Sequence, residues 1–182
     1  MMIKFLGTSD PNTTERLKNA ARNSMQYIVD LAANNGWVSG KNKGSLGPYS
    51  ASDLDAESTR ILMRLGEYLL IGEDTLNILE DAKNVLYRLV TNMGADGIVS
   101  TGDGSIQLNG SELNHGMLSG PLYVAISGLK QIGLSLPAGI DEKMITDAVQ
   151  ADIARYSNPS VSQSFADIYY NAQLVFLGAN IA

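Results

Sequence analysis

Apolar and small positions recur along this chain at helical spacing, in long stretches separated by polar, glycine-rich segments. The first stretch places Leu17, Ala21, Ser24, Met25, Ile28 and Leu31 on one face of a helix. Ahead of it, Asn12-Thr13-Thr14-Glu15 predicts a capped start with an acidic first turn. Asn34-Asn35-Gly36 predicts its end, because Asn and Gly accept the left-handed backbone of a helix C-terminus. A second helix, capped by Ser52 or Asp53, carries Leu54, Ile61, Leu62, Leu65, Tyr68 and Leu69 and stops at Gly72. A third opens at Glu73-Asp74 and runs through Leu76, Leu79, Val85, Leu86 and Leu89 to Gly94. The polar segment 96–114 has room for a small hairpin around Ile98 and Ile106. Helices near 118–133, 140–156 and 164–178 complete about six, with Pro121 suited to a first turn and Asn158-Pro159 marking a break.

These helices repeat. Ala21-Arg22-Asn23 lies 61 residues before Ala82-Lys83-Asn84, and Gly36-Trp37-Val38-Ser39 lies the same 61 before Gly97-Ile98-Val99-Ser100. Met25, Ile28 and Val29 then fall on Leu86, Leu89 and Val90, Leu65 falls on Ile126, and Ile71-Gly72 on Ile132-Gly133. A third copy is shorter. Ile145-Thr146-Asp147-Ala148 follows Leu79-Glu80-Asp81-Ala82 by 66 residues, and Leu177-Gly178 follows Ile132-Gly133 by 45, so the loop is trimmed to about 157–164. The chain therefore reads as one all-α domain, 1–182, of three consecutive helical hairpins, with units near 12–72, 73–133 and 140–182. One hairpin cannot bury its apolar face alone, so neighbours must stack. The long Gly-rich loops then gather at one end of an open arc, where binding residues are usually carried.

The order of helix, Gly-rich loop, Asp-containing helix start and terminal Ile/Leu-Gly resembles the repeat of α/α toroids. The stretch from Asn35-Gly36-Trp37-Val38-Ser39 through Asp53-Leu54-Asp55-Ala56-Glu57-Ser58-Thr59 is similar to the prenyltransferase and terpene-cyclase repeat. The stretch Tyr49 to Val99 resembles, less closely, the toroid of glycogen-debranching-type glycosidases. The resemblance implies a partial α/α toroid and covers about two thirds of the chain. It stops short of the enzymes' chemistry. Protein prenyltransferases hold zinc with a Cys among the ligands, and this chain has no Cys. Class II terpene cyclases protonate with Asp-x-Asp-Asp, of which Asp53-Leu54-Asp55-Ala56 supplies two carboxylates. A closed toroid has about six hairpins, and three make an arc.

Composition narrows the function classes. A net charge of −6 with 13 Lys and Arg argues against nucleic acid, which binds basic faces. The absence of Cys excludes disulfides, thiolate catalysis and Cys-based zinc sites. No apolar run reaches the roughly 18 residues of a membrane span, and Met1 to Gly7 lacks the apolar stretch of a signal peptide. Neither fixes a compartment.

The candidate chemistry sits at the predicted loop ends. Asp53, Asp55 and Glu57 cluster at a helix start, where a raised carboxyl beside an ionised one would suit glycoside hydrolysis. N-capping and the positive helix end account for the same residues. Asp96, Asp103 and Glu112 lie in the second long loop, Asp96 as a ligand-contact candidate; Asp103-Gly104-Ser105 is too sparse for a calcium loop, and Asp-Gly is a common turn pair. His115, the single histidine, is a candidate proton shuttle, but nothing in the sequence ties Ser119 or any other serine to it. Trp37, the single tryptophan, is either a sugar-stacking platform or a core plug, its repeat partner being Ile98. No metal or cofactor motif is present. The sequence thus points to a non-catalytic helical-repeat module that self-associates or binds a partner protein, a structural component of a larger homo-oligomeric particle. The alternative is part of a carbohydrate-active toroid enzyme using Asp53, Asp55 or His115, with Trp37, Glu57 and Asp96 as ligand contacts.

Overall fold

A computed structural model describes residues 11–35, 51–74, 76–109 and 118–156, with backbone only for 31–35, 51–60 and 156. The described chain is mainly helical. Its elements are α1 (Pro11–Asn35), α2 (Ala51–Leu70), α3 (Leu79–Asp96), β1 (Ile98–Ser100), β2 (Ile106–Leu108), α4 (Ser119–Gln131) and α5 (Glu142–Tyr156). The two strands form an antiparallel hairpin pairing Ile98 with Leu108, Val99 with Gln107 and Ser100 with Ile106. The small hairpin read from Ile98 and Ile106 is present, and the predicted sixth helix at 164–178 lies outside the described residues. Among the described residues no helix is long and apolar enough to cross a membrane.

Helix ends keep the repeat distance. α1 and α3 end 61 residues apart, at Asn35 and Asp96, and α2 and α4 do the same, at Leu70 and Gln131. Both starts lie 68 residues apart, so α1 and α2 are each seven residues longer than their counterparts, about two turns. The terminal glycines share one geometry. Gly72 and Gly133 have φ +71° and +81°, and their N–H groups donate to Leu69 and Lys130 carbonyls at 3.0 and 2.9 Å. Leu134 N–H donates to the Leu129 carbonyl at 3.0 Å, completing the paired hydrogen bonds by which a glycine closes a helix.

The starts depart from the sequence reading. α1 begins at Pro11, whose missing N–H costs nothing in a first turn, so Asn12 to Thr14 lie inside the helix rather than capping it. α2 begins at Ala51, ahead of Ser52 and Asp53. α3 begins at Leu79, not at Glu73-Asp74. Its orphan N–H groups are satisfied from a distance: Asp74 Oδ1 accepts from Ile78 and Leu79 N–H at 2.9 and 3.1 Å and from the Tyr68 hydroxyl at 2.7 Å. Tyr68 Oη in turn accepts from Leu76 N–H at 3.2 Å. α3 also runs past Gly94 to Asp96, because Gly94 serves close packing; a Cβ there would lie 2.4 Å from the Ala138 carbonyl oxygen. The helix stops instead at Gly97, φ +93°.

This Tyr68–Asp74 clamp makes a pH-dependent contribution. Burial, with the hydrogen bond to Asp74, pushes the Tyr68 phenol up to about 12 from an ordinary 10. The stability this adds is fully present below pH 10 and is lost as pH rises through about 12. Burial pushes the Asp74 carboxyl up, but the donors from Tyr68, Ile78 and Leu79 outweigh it and hold it below its usual value. Its contribution is therefore present above the ordinary Asp range and lost as pH falls below it. Asp74→Ala is expected to cost roughly 1 kcal/mol, as for a lost helix cap, and to return the Tyr68 titration toward 10. Denaturant unfolding checks the first statement, and ultraviolet titration of tyrosinate, differenced against Tyr68→Phe, checks the second; an unmoved titration would remove Asp74 from the clamp.

One apolar core joins the helices. α2 contributes Ile61, Leu62, Leu65, Tyr68 and Leu69, α3 contributes Ala82, Leu86, Leu89, Val90 and Met93, and α4 contributes Leu122, Ala125, Ile126 and Leu129. On the other side of α2 and α4, Met63, Val124 and Val149 form a second buried cluster. α4 carries no charged residue before Lys130, as befits a helix covered nearly all round. α2 and α4 pack most intimately, crossing at Gly66 and Gly128 with no side chain between their backbones.

Candidate functional site

The sequence candidates fall unevenly on the structure. Asp53, Asp55 and Glu57 lie in the first two turns of α2, and their side chains are outside the described residues. Trp37 and His115 are wholly outside them. Asp96 is the last residue of α3, half-buried and next to Gly97. Asp103 builds a turn: its Oδ1 accepts from Thr101 Oγ1 at 2.5 Å and from Ser105 N–H at 3.1 Å. Thr101 N–H donates to the Ser105 carbonyl and Gly104 N–H to the Thr101 carbonyl, at 2.8 and 3.1 Å. Gly104, at φ +86°, supplies the left-handed residue this closure needs. The turn reading of Asp103-Gly104 therefore holds.

The polar chemistry that the structure does assemble was not read from the sequence. It lies where the β1–β2 turn, the first turn of α4 and the last turns of α5 meet. Asp152 on α5 is fully buried at 0% exposure, and Ser119 and Ser105 are each at 1%. Ser119 Oγ donates to Asp152 Oδ2 at 2.5 Å across 33 residues of sequence. Arg155, one turn further along α5, donates from Nη1 to Asp152 Oδ1 at 2.9 Å and to Ser105 Oγ at 3.0 Å. Its Nη2 donates to the Asp103 carbonyl at 3.0 Å and lies 3.3 Å from Asp103 Oδ2. The guanidinium thus bridges a buried carboxylate to a surface turn, and its planar fork suits this double duty. Such a buried pair survives only when hydrogen bonds satisfy its remaining atoms, which Ser119 and the turn provide.

This constellation contains a serine, a carboxylate and a guanidinium, yet it is not arranged for attack on a substrate. Ser119 Oγ donates toward the carboxylate and is closed off from solvent, whereas a nucleophile needs a base and an open face. One signal could have found the group. The 66-residue offset that places Ile145 on Leu79 also places Asp152 on Leu86 and Arg155 on Leu89. A buried Leu pair becomes a charged pair in the third copy, and such local breaks of pattern mark special sites.

A second feature is an open groove of about 430 Å³ between α1 and α3. Val29 and Val85 line it together with Gln26, Asp30, Asp81, Asn84 and Arg88. Gln26 Nε2 donates to Asp30 Oδ1 at 2.9 Å along one wall. Asn84 Nδ2 and Lys83 Nζ both turn to Glu80, at 3.3 and 2.5 Å. The groove follows from the thinner packing of α1, whose Met25 and Ile28 are only partly buried where Leu86 and Leu89 are fully so. Among the described residues no group of three or more His, Asp or Glu side chains is placed to hold a metal ion. No protein-family model, no curated protein and no solved structure matches this chain.

Proposed function

We propose that the chain is a non-catalytic helical-repeat module, an arc of stacked hairpins that binds or assembles as a structural component of a larger homo-oligomeric particle. The observation that supports this reading best is the use made of the buried polar groups. Ser119, Asp152, Arg155 and Ser105 engage one another and the β1–β2 turn, holding three elements together. Matched helix ends at 61-residue spacing support a stacked repeat, and a stack without polar capping repeats leaves an end face for a neighbour to cover. The carbohydrate-active alternative rests on Asp53, Asp55 and Glu57, whose side chains lie outside the described residues. Size-exclusion chromatography with light scattering on the full chain tests the proposal. The expected result is a discrete multimer of the 19.5 kDa chain; a strict monomer at every concentration would overturn the assembly reading.

A further inference from the structure

The break in the repeat at Asp152 and Arg155 supports an inference of its own, independent of the assembly reading. The corresponding pairs in the first two hairpins are Met25–Ile28 and Leu86–Leu89, and the second of these is fully buried. At the 66-residue offset the pair Ala82 and Ala148, one turn earlier, is buried in both copies, at 0% and 1% exposure. A buried ion pair is a poor replacement for two leucines as a source of stability, because desolvating the charges offsets most of their attraction. It supplies direction instead. Leucines tolerate sliding and repacking, whereas Asp152 and Arg155 must meet fixed partners on the first turn of α4 and on the β1–β2 turn.

That turn has weak means of fixing its own position. A Cβ built on Gly102 would meet nothing within 4 Å, and Gly104 approaches α5 only at Ala151. Of the hairpin's apolar side chains, Ile106 and Leu108 are buried while Val99 is 38% exposed. We infer that the Asp152–Arg155 pair is a positional lock, which sets the β1–β2 turn and the start of α4 at one place on α5 and contributes that placement rather than net stability.

The test is the variant Asp152→Leu/Arg155→Leu, which restores the residues of the second copy, followed by thermal melting and amide hydrogen exchange. It is expected to melt within a few degrees of the wild type, while the Thr101, Gly104 and Ser105 amides exchange at least about tenfold faster relative to those of α3, as for a segment opening locally. Ser105→Ala tests the same point with the ion pair in place. It is expected to speed exchange at Thr101 and Gly104 with the melting temperature nearly unchanged. Unchanged turn protection in both variants would overturn the lock. So would a double variant that fails to fold or melts as far below wild type as Arg155→Met alone, because the pair would then be a stabilising element.

Discussion

Gly66→Ala and Gly128→Ala are each expected to destabilise the protein by about 1–2 kcal/mol net, although alanine is the better helix former. The intrinsic preference favours alanine by about 1 kcal/mol in a helix interior. The crossing of α2 and α4 reverses it. A Cβ on Gly66 would lie 2.7 Å from the Val124 carbonyl oxygen and 2.8 Å from the Ala125 nitrogen, and one on Gly128 would lie 2.6 Å from the Gly66 carbonyl oxygen. These neighbours are backbone atoms and cannot swing aside, so the helices must separate. Separation strips contact from Leu62, Leu65, Leu122 and Leu129 in the core, and overpacking of this kind costs typically about 1–3 kcal/mol, occasionally more, against which the gain of about 1 kcal/mol in helix preference is set. Because the two glycines touch, the double variant is expected to cost less than the sum of the singles; once one methyl has parted the helices, the second fits. Gly102→Ala, with open space around it, is the control and should change stability by less than about 0.5 kcal/mol. Denaturant midpoints measure all four proteins. A neutral Gly66→Ala would mean that the helices are not held in backbone contact.

The apolar periodicity made much of this fold legible. It placed the cores of α2, α3 and α4, and the 61-residue spacing recurs in two pairs of helix ends. What it misplaced were starts and one stop, for local reasons. Asp74 caps α3 from five residues away, through a side chain held by Tyr68, so the cap residue does not mark the first helical turn. Gly94 looked like a terminator but is a packing contact, and the difference depends on Ala138, 44 residues downstream. The candidate site was legible only in part. Loop composition directs attention to exposed acids, whereas the assembled polar group sits on the face of α5 that periodicity assigns to core. Asp152 and Arg155 stand three residues apart, a spacing that on any helix reads as a surface ion pair. Their burial is set by Ser105 and Ser119, on elements 50 and 33 residues away. No local rule reports that, and the offset to Leu86 and Leu89 is the sole trace of it in the sequence.

The two halves of the buried pair should not be equivalent. Removing one partner of a buried pair costs about 3–5 kcal/mol, because the other charge is left uncompensated. The side chain of Asp152 is 0% exposed, whereas that of Arg155 is 25% exposed. Asp152→Asn leaves the guanidinium with water on one side and with Asp103, through its carbonyl at 3.0 Å and its Oδ2 at 3.3 Å. Arg155→Met leaves a carboxylate in the interior without its cationic partner, and a neutral donor such as the Ser119 hydroxyl does not replace the lost charge there. Asp152→Asn is therefore expected near the lower end of that range, and Arg155→Met near its upper end. The loss in Arg155→Met should shrink in Arg155→Met/Asp152→Asn, where neither charge is buried, giving a coupling energy of at least about 1 kcal/mol between the two positions. Denaturant unfolding of the three variants decides the matter. Equal losses for the two singles, with simple additivity in the double, would show that solvent reaches the carboxylate and that the junction of α4, α5 and the β1–β2 turn is not closed.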